Sequence, residues 1–263
     1  MPLVLLYSTL TFAQPGPVDE SFEHSTALKI SQEAIGRQLG EYRLSGVDGQ
    51  AHSLTELRGK PLVLSLVFTS CYQICPMTTR HLAKVVDKAR EALGEDNFNV
   101  VTIGFDAAVD DPEAMQHFAV QQGIDNSGWK LFSVAAEDVA ALTRDLGFIY
   151  FPTVRGFDHI IQATVVDAGG VVYRQVYGQA FETPLLVEPL KQLVLGRPQP
   201  ADTFITSLFS KIRFFCTTYD PVRDGYFFDY SLFIGMFIGA VIILLMIAWI
   251  LRAVMNLKRM PKS

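Results

Sequence analysis

The sequence is short of charge, and shortest of positive charge. Only 19% of its 263 residues are charged, and 22 Lys and Arg face 27 Asp and Glu. With no basic patch to neutralise phosphates, nucleic acid is excluded as a partner. Cysteine is scarce as well: three residues cannot build a disulfide scaffold, so cysteine chemistry here must be local. A Gly-x-Ser-x-Gly elbow, a phosphate-binding glycine loop, a zinc-protease motif and a nucleotide fingerprint are all missing. What the chain has in plenty is apolar side chain, 49% of residues, with a mean hydropathy of +0.25. That composition excludes disorder and is unusual for a wholly soluble protein. The length suits one domain of ordinary size with appendages.

The apolar surplus sits at the two ends. Tyr230 to Leu251 contains no charged residue, and at helical rise these residues reach about 33 Å, enough to cross a bilayer core of roughly 30 Å. Tyr230 and Trp249 lie near its ends, where amphipathic rings favour the interface. Arg252, Lys258, Arg259 and Lys262 follow with no acid, whereas Asp220, Asp224 and Asp229 precede the run against only Arg223. The positive-inside rule therefore predicts a cytoplasmic C-terminus and an exported domain. Residues 1–13, with an apolar stretch ending in Thr11-Phe12-Ala13, read as the end of a secretory signal peptide. Ahead of the basic tail the chain carries 18 basic against 27 acidic residues, so the exported part is distinctly acidic.

Between these ends, residues 14–39 read as a linker and lead-in, opened by Gln14-Pro15-Gly16-Pro17. Pro61 to Phe68 is a nearly continuous apolar run, as a strand buried on both faces requires. Pro76 to Leu93 has helical spacing and stops at Gly94. Phe98 to Phe105 reads as a second buried strand. Asp111-Pro112-Glu113 opens a helix with a capping acid and a proline at the first helical position. Trp129 to Val134 reads as a strand and Glu137 to Leu146 as a helix. Ile160 to Asp167 and Val171 to Tyr177 flank Ala168-Gly169-Gly170 as a β-hairpin. A last helix runs from Glu182 to Leu195. This succession predicts a thioredoxin-like α/β domain over 40–198. A juxtamembrane segment (199–229, with a helix over 202–215), a transmembrane helix (230–251) and a basic cytoplasmic tail (252–263) follow.

Chemistry concentrates at Thr69-Ser70-Cys71-Tyr72-Gln73-Ile74-Cys75-Pro76. A buried strand ends, two cysteines follow four apart, and a helix begins. Thiols at a helix N-terminus meet the positive end of the macrodipole, which favours thiolate. Two sulfurs so spaced can approach one soft ion or each other, and the spacing leaves copper, zinc and a disulfide equally open.

The motif Cys-x-x-x-Cys-Pro after a buried strand resembles the SCO/SenC family. Two further features add to the likeness: an Asp-rich segment after the next strand, Gly104-Phe105-Asp106 to Asp110-Asp111-Pro112, and a distant histidine in Gly156-Phe157-Asp158-His159-Ile160. The resemblance spans residues 40–195. It implies a thioredoxin-like, membrane-anchored copper protein that helps assemble the copper centre of cytochrome c oxidase, with copper held by Cys71, Cys75 and His159. The implied partner is the oxidase's copper-binding subunit or another periplasmic copper or thiol protein. The implied place is the bacterial inner membrane, with the domain in the periplasm. Two departures stand out: Tyr72 occupies a position where many members have proline, and the predicted span is C-terminal rather than N-terminal. The same dithiol would also serve a thiol–disulfide oxidoreductase that reduces the oxidase's copper-ligand cysteines. The metallochaperone reading ranks ahead of an enzyme.

Other candidates divide by context. His81 and His117 fall inside predicted helices and are expected to be exposed, and His24 and His52 sit in linker or turn. Capping accounts for Asp111, which leaves Asp106 as the acid of greater interest. Cys216 is the third cysteine, near the membrane, and reads as a hydrophobe ahead of a resolving thiol or extra copper ligand. A peroxiredoxin would need Thr-x-x-Cys, whereas one residue separates Thr69 from Cys71.

Overall fold

A computed structural model of the chain describes residues 23–124, 128–154, 156–196, 217–220, 225–228 and 231–258. In chain order its elements are α1 (His24–Glu33), β1 (Leu44–Gly46), β2 (Ala51–His52), a 3-10 turn at Leu54–Leu57, β3 (Leu62–Val67), α2 (Ile74–Leu93), β4 (Asn99–Gly104), α3 (Pro112–Gln122), β5 (Trp129–Val134), α4 (Ala136–Asp145), β6 (Tyr150–Thr153), β7 (Gly156–His159), β8 (Gln162–Val166), β9 (Val172–Tyr177), α5 (Thr183–Leu195), β10 (Thr217–Asp220), β11 (Gly225–Phe228) and α6 (Ser231–Lys258).

The unbroken apolar run from Pro61 places β3 in the middle of the sheet, buried at all six positions. Its neighbours are β4, parallel from Leu62↔Asn99 to Val67↔Gly104, and β8, antiparallel. The full order is β2-β1-β5-β4-β3-β8-β9. The parallel β3-α2-β4 unit, the antiparallel β8–β9 pair and the final α5 make the expected thioredoxin-like layout. Polar groups inside this sheet are paired: Ser65 and Thr102 hydroxyls lie 2.8 Å apart, and the Trp129 indole N–H donates to Thr102 at 3.0 Å. α2 buries Leu82, Val85, Val86, Ala89 and Leu93, and ends at Gly94, whose φ of 96° suits only glycine.

The sequence reading lacks β1, β2, the 3-10 turn, β6 and β7, and two further regions differ from it. The predicted linker contains α1, a helix with little apolar surface that buries only Ala27 and Ser31. It is held by polar contacts instead: Ser31 donates to Gln162 at 2.8 Å and accepts from Tyr177 at 2.9 Å. The predicted juxtamembrane segment contains the β10–β11 hairpin, and β11 touches α2. The predicted leader, the helix over 202–215 and Cys216 lie outside the described residues.

α6 covers most of the predicted span. Its described side chains run from Ile234 to Ile250, Met236 aside, with Arg252 beyond. Among the described residues no helix is long and apolar enough to cross a membrane. Large apolar side chains of α6 are nonetheless exposed, among them Ile234, Phe237, Leu244, Leu245 and Trp249.

Candidate metal centre

β3 delivers the dithiol. Where the strand stops, the Cys71 N–H donates to the Phe68 carbonyl at 3.1 Å, closing a tight turn through Thr69 and Ser70. α2 then begins at Ile74, two residues earlier than Pro76, so that Cys75 belongs to its first turn. Gln73 occupies the capping position but its side chain makes no cap. The Cys71 sulfur does that work, accepting the Cys75 N–H at 3.3 Å.

This geometry splits the two thiols. Cys71 is partly exposed and Cys75 buried. The Cys75 thiol donates to the Cys71 sulfur. That bond, with the N–H groups of Cys75, Gln73 and Ile74 and against the cost of partial burial, pulls Cys71 down to about 5. Cys75 moves the opposite way, because its proton is held by the Cys71 sulfur and its site is desolvated. One proton and one negative charge therefore belong to the pair.

His159 ends β7, in a two-stranded hairpin with β6 that is separate from the main sheet. Its ring packs among Phe68, Phe105 and Phe148, with centroids 6.0, 6.1 and 5.1 Å away. Nδ1 lies 2.8 Å from the Ile160 carbonyl, which can only accept, so Nδ1 carries the proton and Nε2 keeps its lone pair. Burial pushes the imidazole below its usual value, which favours the neutral, ligating form. His159 and Cys75 line one cleft with Ile74, Thr78, Phe148 and Phe181. Among the described residues, no three His, Cys, Asp or Glu side chains are gathered closely enough to hold an ion. The structure thus sets the Cys71 sulfur against Cys75 and puts His159 on the cleft that Cys75 lines.

Gly156, at the start of β7, has φ of 119°, and a Cβ there would lie 2.6 Å from the Phe68 ring. The hairpin approaches β3 this closely only because the residue is glycine. Among the acids, Asp111 caps α3 as expected, accepting from Ala114 N–H at 2.8 Å. The acid that reaches the cysteine loop is Asp110, not Asp106. Its carboxylate accepts from the Thr69 N–H and hydroxyl, both at 2.7 Å. Neighbouring histidines are also settled. His117 is exposed, as expected. His81 is not simply exposed: its Nε2 lies 2.8 Å from the Phe181 carbonyl and its ring stacks edge-on against Phe181. His52 pairs with Glu56 at 3.2 Å, and His24 lines a cavity together with His159.

Residues 31–194 match the family model described as SCO1/SenC. A curated SCO1 protein homolog from Bacillus subtilis (strain 168) is 26% identical over 100 residues, 37% of this chain. The match spans 50% of that relative's length. Among solved structures, Arabidopsis thaliana ScoI, crystallised with copper bound, is 22% identical with a TM-score of 0.52, over 58% of this chain and 98% of that one. BsSco, a Sco-family cytochrome c oxidase assembly protein in which a disulfide switch was identified, is 17% identical with a TM-score of 0.55. That likeness covers 62% of this chain and 96% of BsSco. Both likenesses support the thioredoxin-like fold.

Proposed function

The chain belongs to the SCO1/SenC family, and from that premise we propose that it is a membrane-tethered copper carrier for cytochrome c oxidase assembly. Copper is its cargo, held by Cys71, Cys75 and His159 and passed to the oxidase's copper-binding subunit by ligand exchange. The observation that carries this reading is the state of the three donors. Cys71 is poised as thiolate at a helix N-terminus, Cys75 gives up one proton to become the second thiolate, and Nε2 of His159 is bare. Two thiolates and an imidazole are a soft donor set suited to Cu(I), and imidazole accommodates Cu(II) as well. Binding by all three donors requires the β6–β7 hairpin to close on the dithiol.

The tether is α6. This reading rests on the sequence, where the uncharged run from Tyr230 to Leu251 reaches about 33 Å at helical rise. Its exposed Ile, Leu, Phe and Trp side chains would be untenable in water and suit hydrocarbon. With the basic tail inside, the domain faces the periplasm, in the plane where oxidase assembly occurs.

A second reading rests on the unequal thiols. In a thiol–disulfide oxidoreductase, the Cys71 thiolate attacks a client disulfide, forming a mixed disulfide and releasing one client thiolate. Cys75, losing its proton, then attacks Cys71. The second client thiol leaves, two electrons have passed to the client, and the Cys71–Cys75 disulfide remains.

Anaerobic Cu(I) titration of the reduced full-length chain against a competing chelator separates the two. Cys71→Ala should abolish tight binding, and His159→Ala should weaken it by about tenfold or more. Disulfide exchange should survive the loss of His159. Wild-type copper retention in Cys71→Ala would end the carrier reading, and in His159→Ala it would remove that residue from the site.

A further inference from the structure

Asp110 is 1% exposed beneath the cysteine loop, and no Lys, Arg or His among the described residues forms a salt bridge with it. A buried carboxylate is costly unless its oxygens are fully engaged. Here they are. Oδ1 accepts both the N–H and the hydroxyl of Thr69, each at 2.7 Å, and Oδ2 accepts the Asp106 N–H at 2.9 Å. The Asp110 N–H in turn donates to the Asp106 carbonyl at 2.7 Å. Thr69 is the first inner residue of the tight turn that ends at Cys71. The carboxylate therefore ties the loop after β3 to the loop after β4, across 41 residues of sequence. Gly104 makes the approach possible, since a Cβ there would fall 2.5 Å from that of Asp110 and 2.7 Å from the Met115 sulfur.

We infer that Asp110 is the positioning residue of the dithiol: by holding the Thr69 turn it sets the Cys71 sulfur in the capping position of α2, facing Cys75. The chain of contacts is continuous. Asp110 grips Thr69, the Thr69–Ser70 turn closes on Cys71, and the Cys71 sulfur receives the Cys75 N–H. Burial raises its pKa while the Thr69 and Asp106 hydrogen bonds oppose the rise, as expected of a carboxylate retained for its acceptors.

The inference deepens the proposed function and rests on it. Its test uses the reduced full-length chain and two readouts, the Cu(I) dissociation constant and the metal-free midpoint potential of the Cys71–Cys75 pair. Asp110→Ala should raise the dissociation constant about tenfold or more, the usual effect of losing a residue that orients a ligand. Thr69→Val, which drops only the hydroxyl donor, should cause a smaller loss and shift the potential to more negative values, because the Cys71 thiolate is less well held. Thr69→Ser should restore both. In the double variant the Thr69→Val effect should largely vanish, since its partner is already gone. If Asp110→Ala does not fold, the Val and Ser variants at Thr69 decide. Wild-type affinity and potential in a folded Thr69→Val or Asp110→Ala chain would reduce Asp110 to a stabilising role and overturn the inference. If instead the wild type binds no Cu(I), the carrier reading fails, while the potentials still test the positioning.

Discussion

The unequal thiols give a measurable reversal of reactivity. Cys71 is drawn down to about 5 by the Cys75 thiol and the amides at the head of α2. At pH 6 such a group is about nine-tenths thiolate, whereas an ordinary cysteine near 8.5 is only about 0.3% ionised. The population advantage is roughly 300-fold. A weakly basic thiolate is also a poorer nucleophile: with a Brønsted slope of about 0.45, the gap of roughly 3.5 units returns a factor of about 40. Cys71 should therefore alkylate roughly sevenfold faster than a free cysteine at pH 6. At pH 9, where the free thiol is mostly ionised, it should be about 30-fold slower. Iodoacetamide labelling followed by peptide mapping across pH 4–9 separates Cys71 from Cys75 and Cys216. The Cys71 rate should level off above about pH 6 while Cys75 stays unlabelled. In Cys75→Ala the inflection should move upward, though not the whole way, because the backbone amide at position 75 still donates to the sulfur. A wild-type Cys71 rate that keeps climbing through pH 8 would refute the capping geometry as the cause.

Two further outcomes follow from the same residues. Gly156→Ala places a Cβ 2.6 Å from the Phe68 ring at a φ of 119°. Strain and overpacking together should cost about 2–4 kcal/mol in urea unfolding, and a loss under about 0.5 kcal/mol would mean that the hairpin is not seated there. The stability of the reduced chain should also peak in pH. From about 5 to the unfolded thiol range, the unfolded state binds the proton that folded Cys71 has lost, so stability rises with pH. Above that range the unfolded chain loses both thiol protons while folded Cys75 keeps its own, so stability falls. His159, depressed when folded, adds stability above 6.5 that is lost as pH falls through its folded value. A melting temperature unchanged from pH 6 to 9 would count against the shared proton.

What the sequence disclosed, it disclosed through local rules. β3 was legible because a strand buried on both faces has no polar alternation to lose, and α3 because Asp111 and Pro112 are a cap and a first helical residue in succession. α2 begins earlier than Pro76 suggests, since its cap is a sulfur from two residues before the capping position, a role that no side-chain preference signals. α1 passed for linker because polar hydrogen bonds to Gln162 and Tyr177 hold it in place of an apolar stripe. Asp106 drew attention at the strand end, yet its contribution is a backbone N–H, whereas the carboxylate that matters is Asp110. That role depends on Thr69, and contacts at such separation leave no trace in local pattern. His159 was found by resemblance. Its environment could not be read, because the rings of Phe68, Phe105 and Phe148 come from three distant segments.

On the proposed function, the division of the three donors between the β3–α2 junction and the β6–β7 hairpin bears on how copper would be released. Cys71 and Cys75 belong to the β3–α2 junction, which the sheet, the helix and the Asp110 clamp all brace. His159 belongs to a hairpin outside the main sheet, seated by packing of Phe157 against Phe68 and Phe105, with centroids 5.3 Å apart in each case. The hairpin contributes no ladder hydrogen bond to the central sheet, so moving this third donor would leave that sheet's pairing intact. A carrier whose three donors were equally rigid would bind tightly and exchange slowly. With the imidazole on a hairpin outside that sheet, an incoming ligand would displace it first, while the two sulfurs still hold the ion. The neutral state of His159 favours this order, because a departing imidazole leaves no charge stranded among the rings. On the proposed function, release then begins at His159 and ends at Cys75, whose thiol recovers its proton once the ion has gone.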